Sequence, residues 1–208
     1  MTRKKNKGIL SALEDMLPEE NIENSSFSFI TEFKENYEEE LREARIPDEL
    51  PILPLRNMVL FPTTVLPISV GRSSSLQLIR ELEKSGGYMG VMCQKEATVD
   101  TPTIKDLYQY GTVAKIVKVF EMPDNSTTVI LQGYQKIQLL ELTRIVPYHI
   151  GKVTPIADIL SPEDNEFKLL IQNCRKTAAK IFKANGANPE VAFAMKNMGS
   201  DSILINFL

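Results

Sequence analysis

From Leu50 to Thr154 the chain is a series of short runs rich in Val, Ile, Leu and Thr, broken at close intervals by Pro and Gly. A helical bundle cannot be built from this pattern, because Pro removes a helical hydrogen bond and the runs are too short for several turns. Short apolar runs separated by turn residues predict a β barrel or sandwich instead. The expected strands lie at 52–55, 65–70, 88–94, 111–121, 127–133, 136–142 and 150–154.

The clearest unit is a hairpin. Strands 112–121 and 127–133 flank Met122-Pro123-Asp124-Asn125-Ser126, where Pro presets one turn dihedral and Asp and Asn accept turn conformations. Val113, Val117 and Val119 point one way and Ala114, Ile116 and Phe120 the other. Both faces are apolar, which predicts a central strand covered on both sides. One helix interrupts the strands: Leu76, Ile79 and Leu82 share a face, Ser73 or Ser74 is the expected N-cap, and Ser85-Gly86-Gly87 the stop.

Beyond residue 158 the periodicity becomes helical. Ser161-Pro162 reads as a cap followed by a first-turn proline, and Phe167, Leu170, Ile171, Cys174, Ala178, Ile181 and Phe182 follow at spacings of three and four. Asn188-Pro189 predicts a second helix, and Ser200 or Asp201 a third. The final SILINFL is more apolar than a frayed terminus, which suggests a chain cut from a longer protein.

Charge sets the first fifty residues apart. They hold 7 Lys/Arg against 13 Asp/Glu, whereas the whole chain has 24 against 27. Residues 11–28 have too few bulky apolar side chains to offset ordering entropy, so a mobile tail is expected. Ile30, Phe33, Tyr37, Leu41 and Ala44 form one helical stripe in an otherwise Glu-rich stretch, predicting an amphipathic helix over 29–45. Such a helix is marginal alone: it folds back on its own domain, meets another domain or subunit, or stays mobile.

Composition and motifs exclude several functions. A net charge of −3 argues against a nucleic-acid partner. Two cysteines, Cys93 and Cys174, make neither a disulfide framework nor a zinc motif. The longest uncharged apolar run is too short to span a membrane, and Glu14 and Asp15 interrupt the one stretch that mimics a signal peptide. These features point to a cytoplasmic protein without a membrane partner. His149 is the only histidine, so no histidine triad or multi-histidine metal site can form within one chain, and no phosphate-binding glycine motif is present. No catalytic, cofactor-binding or metal-ligating residue is assigned, and a binding module is the expectation.

The stretch PILPLRNMVLFPTTVLPISVGRSSS at 51–75 strongly resembles the opening of the N-terminal domain of the ATP-dependent protease Lon. The matching positions are Leu53-Pro54-Leu55-Arg56-Asn57, Val59, Phe61-Pro62, Pro67-Ile68, Val70-Gly71-Arg72 and Ser75. Gly111-Thr112-Val113-Ala114, Pro123-Asp124 and Gln132-Gly133 resemble a second block of the family, with Asn125 where its members usually have Gly. Residues 189–208 are similar to the family's helical part. The resemblance covers about residues 50–208 and implies an α+β fold that follows the acidic tail of 1–49: a PUA-like β pseudo-barrel with one packed helix over 50–157, and a helical subdomain over 158–208. It implies a role in protein quality control, in which the domain captures unfolded, damaged or regulatory proteins and supports assembly of a homohexamer. The ATPase with its ATP and Mg, and the Ser–Lys peptidase, would lie in parts of the parent protein that this chain lacks. Met58, Phe61, Met89, Met92 and Met122 are candidate contacts for clients, since adaptable apolar surface suits many partners. Pro54, Arg56, Pro62 and Gly71 read as architectural, with Arg56 pairing a carboxylate or capping carbonyls. The alternative is a free-standing adaptor of the same barrel class.

Overall fold

The computed structural model describes residues 29–30, 45–121, 127–157, 165–184 and 201–207. Seven strands, β1 (Phe29–Ile30), β2 (Glu49–Leu55), β3 (Thr64–Val70), β4 (Met89–Gln94), β5 (Leu107–Glu121), β6 (Thr127–Arg144) and β7 (His149–Pro155), form one mixed sheet. Their order is β1-β3-β6-β5-β4-β2-β7. β6 pairs a second time, with β7, and this closes β2, β4, β5, β6 and β7 into a barrel. Only β2 and β4 run parallel, joined through β3 and the helix α1 (Ser73–Ser85). Helices α2 (Asn165–Ala184) and α3 (Asp201–Phe207) follow the sheet.

The sheet separates two apolar cores. Leu50, Ile52, Met92, Leu107, Val113, Ile137, Leu139 and Val153 fill the barrel. Leu53, Leu55, Leu66, Ile68, Leu78, Ile79, Met89, Val91, Ala114, Val129 and Leu131 fill the space between sheet and α1. Alternate residues of β2, β4 and β5 therefore serve different cores, which is why those segments read as near-continuous apolar runs. Each fully buried aliphatic side chain contributes roughly 1.5–3 kcal/mol of transfer free energy.

The structure departs from the sequence reading in specific places. The strands expected at 127–133 and 136–142 are one strand, because the ladder to β5 runs on from Gly133 to Lys136. β5 begins at Leu107 rather than Gly111. It is central and covered on both sides at Val113 and Ala114, as expected. Register shifts at Thr112/Ala114 and Ile116/Lys118 then change its phase: Ile116 and Val119 both pack on the α1 core, and Val117 is exposed. The N-cap position of α1 is Arg72, not Ser73 or Ser74. Leu76 N–H donates to the Arg72 carbonyl at 2.9 Å while the Arg72 side chain is engaged elsewhere. Gly86 ends α1 at φ 66°, a conformation that suits glycine.

Phe29–Ile30 is a short strand paired with Thr64–Val65, so the helix expected over 29–45 does not begin there, and residues 31–44 lie outside the described residues. So do residues 1–28, the turn at 122–126, the Ser161-Pro162 cap and the helix expected from Asn188. The long apolar stripe of α2 is split. Ile171 and Ala178 are buried, whereas Leu170, Cys174 and Ile181 are exposed.

Candidate functional site

The connection from β2 to β3, residues 56–63, carries the motif RNMVLFPT and is fixed from several sides. At its start, Arg56 donates to Asp100 Oδ1 at 2.6 Å and to the Val99 carbonyl at 3.3 Å. Arg56 thus does both things expected of it, pairing a carboxylate and capping a carbonyl. In the middle, the buried Thr112 hydroxyl donates to the Leu60 carbonyl at 2.6 Å. At its end, Thr63 N–H donates to the Gly133 carbonyl at 3.0 Å, and the Thr64 hydroxyl to the Phe61 carbonyl at 2.7 Å. A Cβ on Gly133 would stand 2.2 Å from the Phe61 carbonyl oxygen, so only glycine lets the loop settle on β6. Asn57 and Thr63 take φ of 54° and 66°. For a β-branched residue such as Thr63 that conformation costs on the order of 1–3 kcal/mol and persists only where surroundings impose it.

A loop held in this way presents its apolar side chains rather than hiding them. Leu60 and Pro62 are buried anchors, while Val59 and Phe61, the latter 48% exposed, face outward. The face of β5 that carries Thr112 toward the loop continues through Tyr110 and Tyr108. Tyr110 is 63% exposed and Tyr108 also open. Val59, Phe61, Tyr108 and Tyr110 are thus exposed aromatic and apolar side chains on the 56–63 loop and on the start of β5. Exposed side chains of this kind suit binding of apolar polypeptide. Tyr108 and Tyr110 were missed from sequence because they precede the expected start of β5.

The candidate contact residues divide. Met89 and Met92 are 0% exposed, one in each core, and neither can touch a partner. A sheet covered on both faces leaves a β4 side chain no route to the surface, which the apolar texture alone does not reveal. Met58 is partly buried against the α1 core, and Met122 lies outside the described residues. Of the architectural set, Pro54 supplies a carbonyl to Arg72 at 2.9 Å and Pro62 is buried. Nothing in the structure requires glycine at Gly71, where an added Cβ would meet no atom within 4 Å.

Behind the loop is a polar knot. Arg72 reaches the Pro54 carbonyl, Gln94 Oε1 at 2.5 Å and the Asp100 carbonyl at 3.2 Å. Gln94, buried at the end of β4, donates in turn to the carbonyls of Val99 at 2.9 Å and Glu96 at 3.2 Å. Burial first, and then Arg56, lowers the Arg72 pKa, with Asp100 acting against both. The knot holds residues 95–103 against the barrel. His149, buried on β7, donates Nε2–H to the Pro102 carbonyl at 2.7 Å and pins the same segment.

Burial pushes the His149 pKa below its ordinary 6.5; the bond to Pro102 opposes this and Arg72 reinforces it. The folded protein thus favours neutral imidazole. Its contribution is complete above 6.5 and is lost as pH falls below that value, through the lowered folded pKa. His149→Gln keeps an N–H for Pro102, and its stability is expected to depend less on pH between about 7.5 and 5 than that of the parent chain. Urea midpoints at the two pH values check this, and an unchanged difference refutes it.

Among the described residues no three of His, Cys, Asp and Glu gather as a metal site would need, and no helix is long and apolar enough to cross a membrane.

Comparison with known proteins places this architecture. The profile of the ATP-dependent protease La (LON) substrate-binding domain matches residues 49–208. Lon protease of Parabacteroides distasonis is 43% identical over 165 residues, which cover 78% of this chain and 20% of that protein. Lon protease of Porphyromonas gingivalis is 38% identical over 185 residues, 87% of this chain and 22% of that protein. The chain thus spans about a fifth of the length of these relatives. The solved N-terminal domain of Mycobacterium avium complex Lon protease has the same fold, with a TM-score of 0.63 over 76% of this chain and 80% of that one at 18% identity. An α+β pseudo-barrel with this profile match over most of its length belongs to the family of Lon substrate-binding domains.

Proposed function

We propose that this chain is the client-capturing part of an ATP-dependent Lon-type serine protease, acting in the cytoplasm. In this reading the barrel of residues 50–157 binds unfolded, damaged or regulatory proteins, and the helices of 158–208 connect it to the rest of a homohexameric enzyme. ATP, Mg and the peptidase chemistry belong to the remainder of such an enzyme. One observation carries the reading: Val59 and Phe61 are exposed on a loop that hydrogen bonds fix at both ends, and Tyr108 and Tyr110 are exposed on β5 two and four residues from Thr112, which holds that loop. Apolar side chains held in place bind without a large ordering cost. They also make few sequence demands, which suits clients that share only exposed apolar segments. Met58, from the same loop, packs against the α1 core.

The test is titration of a permanently unfolded protein and its folded form against this chain. The unfolded form is expected to bind and the folded form not. Truncating Phe61 and Tyr110 together to serine is expected to weaken binding roughly tenfold or more, since aromatic anchors commonly carry over 1 kcal/mol each. The thermal midpoint should stay near that of the parent, because both side chains are open to solvent. Equal affinity for the two forms, or an unaffected double variant, refutes the assignment of these side chains.

A further inference from the structure

β3 has one full edge and one open edge. β6 pairs with residues 65–70, but on the other side β1 meets only Thr64 and Val65. Among the described residues no strand pairs with the outer edge of residues 66–70. Proline has no N–H, so in a paired strand it stands where that N–H would point away from the ladder. Pro67, opposite Ile130 of β6, therefore turns its carbonyl outward. Backbone groups alternate along a strand, so Val65 and Ser69 turn N–H and C=O the same way. Phe29 of β1 lies opposite Val65; the Pro67 carbonyl and both groups of the exposed Ser69 lie beyond it.

A row of outward backbone groups is a template for another extended chain. β1 is such a chain, and it lies antiparallel to β3. Just before Phe29 the sequence reads Ser25-Ser26-Phe27-Ser28. Three serines bring little apolar surface to a sheet, whereas Val, Ile and aromatic residues suit one. Alternate side chains of an added strand would extend the face of Leu66, Ile68 and Val70, which pack on the α1 core. The open edge also begins where the 56–63 loop ends, since the Thr64 hydroxyl donates to the Phe61 carbonyl.

We propose that an extended apolar segment of a client adds to the outer edge of β3 as an antiparallel strand, in the place of β1. This rests on the client-capturing reading above and supplies its mode of recognition. Main-chain hydrogen bonds to Val65, Pro67 and Ser69 can be made by any extended sequence free of proline, whatever its side chains. Folded proteins keep their strands paired and do not qualify. Pro67 leaves a gap in the row of donors, which keeps an added strand short and its release easy.

The test titrates reduced, carboxymethylated lactalbumin, which stays unfolded, against the 208-residue chain. Ser69→Pro removes an outward N–H and is expected to weaken binding roughly threefold or more, with Ser69→Ala near the parent. Phe29→Pro takes a β1 donor away from Val65, and Pro67→Val supplies the missing outward donor; both are expected to tighten binding severalfold. Hydrogen exchange in the parent chain gives a reading that needs no variant. The Ser69 amide is expected to exchange freely without the probe and roughly tenfold more slowly with it, whereas the amides of Leu66, Ile68 and Val70, in the β6 ladder, are slow throughout. A Ser69 amide equally fast with the probe bound, or already protected in the free chain, overturns strand addition. Binding that depends on Phe61 and Tyr110 but is indifferent to Ser69→Pro, Pro67→Val and Phe29→Pro overturns it and leaves the client-capturing reading standing. A parent chain that does not bind the probe removes both.

Discussion

Gly133→Ala is expected to destabilise the domain by about 3 kcal/mol, at the upper end of what overpacking a core usually costs. The added methyl would meet the Phe61 carbonyl oxygen at 2.2 Å and its carbon at 3.1 Å, with Thr112 Cγ2 at 3.2 Å. The first two are backbone and cannot rotate away. Relief requires lifting the 56–63 loop, and with it the Thr63-to-Gly133 and Thr112-to-Leu60 hydrogen bonds. For a chain of this size the loss corresponds to a fall in melting temperature of roughly 6–12 °C. Client binding should weaken in proportion, because the same loop sets the position of Phe61. Gly71→Ala is the control: its methyl meets nothing within 4 Å, and the melting temperature should hold or rise slightly. Similar melting temperatures for Gly133→Ala and Gly71→Ala would show that the close approach is not a constraint.

Arg72→Met is expected to cost about 2–4 kcal/mol and to open residues 95–103 to proteases. The variant keeps most of the side chain's volume but removes every donor to Pro54, Gln94 and Asp100. Gln94 Oε1, inside a nearly inaccessible side chain, would then have no protein donor. Arg72→Lys should recover little, since an ammonium cannot span the fork of contacts that the guanidinium makes. Arg56→Ala removes an ion pair that is largely in water and should cost less than about 1 kcal/mol. Urea denaturation and mapping of the first proteolytic cut measure both effects. A first cut outside 95–103 in Arg72→Met would count against the knot as the clasp of that segment.

Much of this fold was legible in the chain. The Val/Ile/Leu runs located β2 through β7, Ser85-Gly86-Gly87 marked the end of α1, and the motif at 51–75 identified the family. What was hidden depended on contacts distant in sequence. A glycine in a strand looks the same whether or not it admits another backbone, so the close approach at Gly133 was not visible. A methionine looks the same whether its strand has one covered face or two, so Met89 and Met92 were placed outside. Arg72 stood in the motif, but its partners lie at positions 54, 94 and 100 and no local pattern names them. The bulges of β5 likewise shift side chains by one residue without leaving a compositional trace. The proposed surface was half legible: Phe61 came from the motif, whereas Tyr108 and Tyr110 required knowing that β5 starts at Leu107.

The length of β6 has a mechanical consequence. Its first half supports the Phe61 loop and the α1 core, and its second half closes the barrel against β7. On the proposed reading, a client held at that loop would pull on a strand that is paired along both edges rather than on an edge strand. Freeing that strand means breaking two hydrogen-bonded ladders at once.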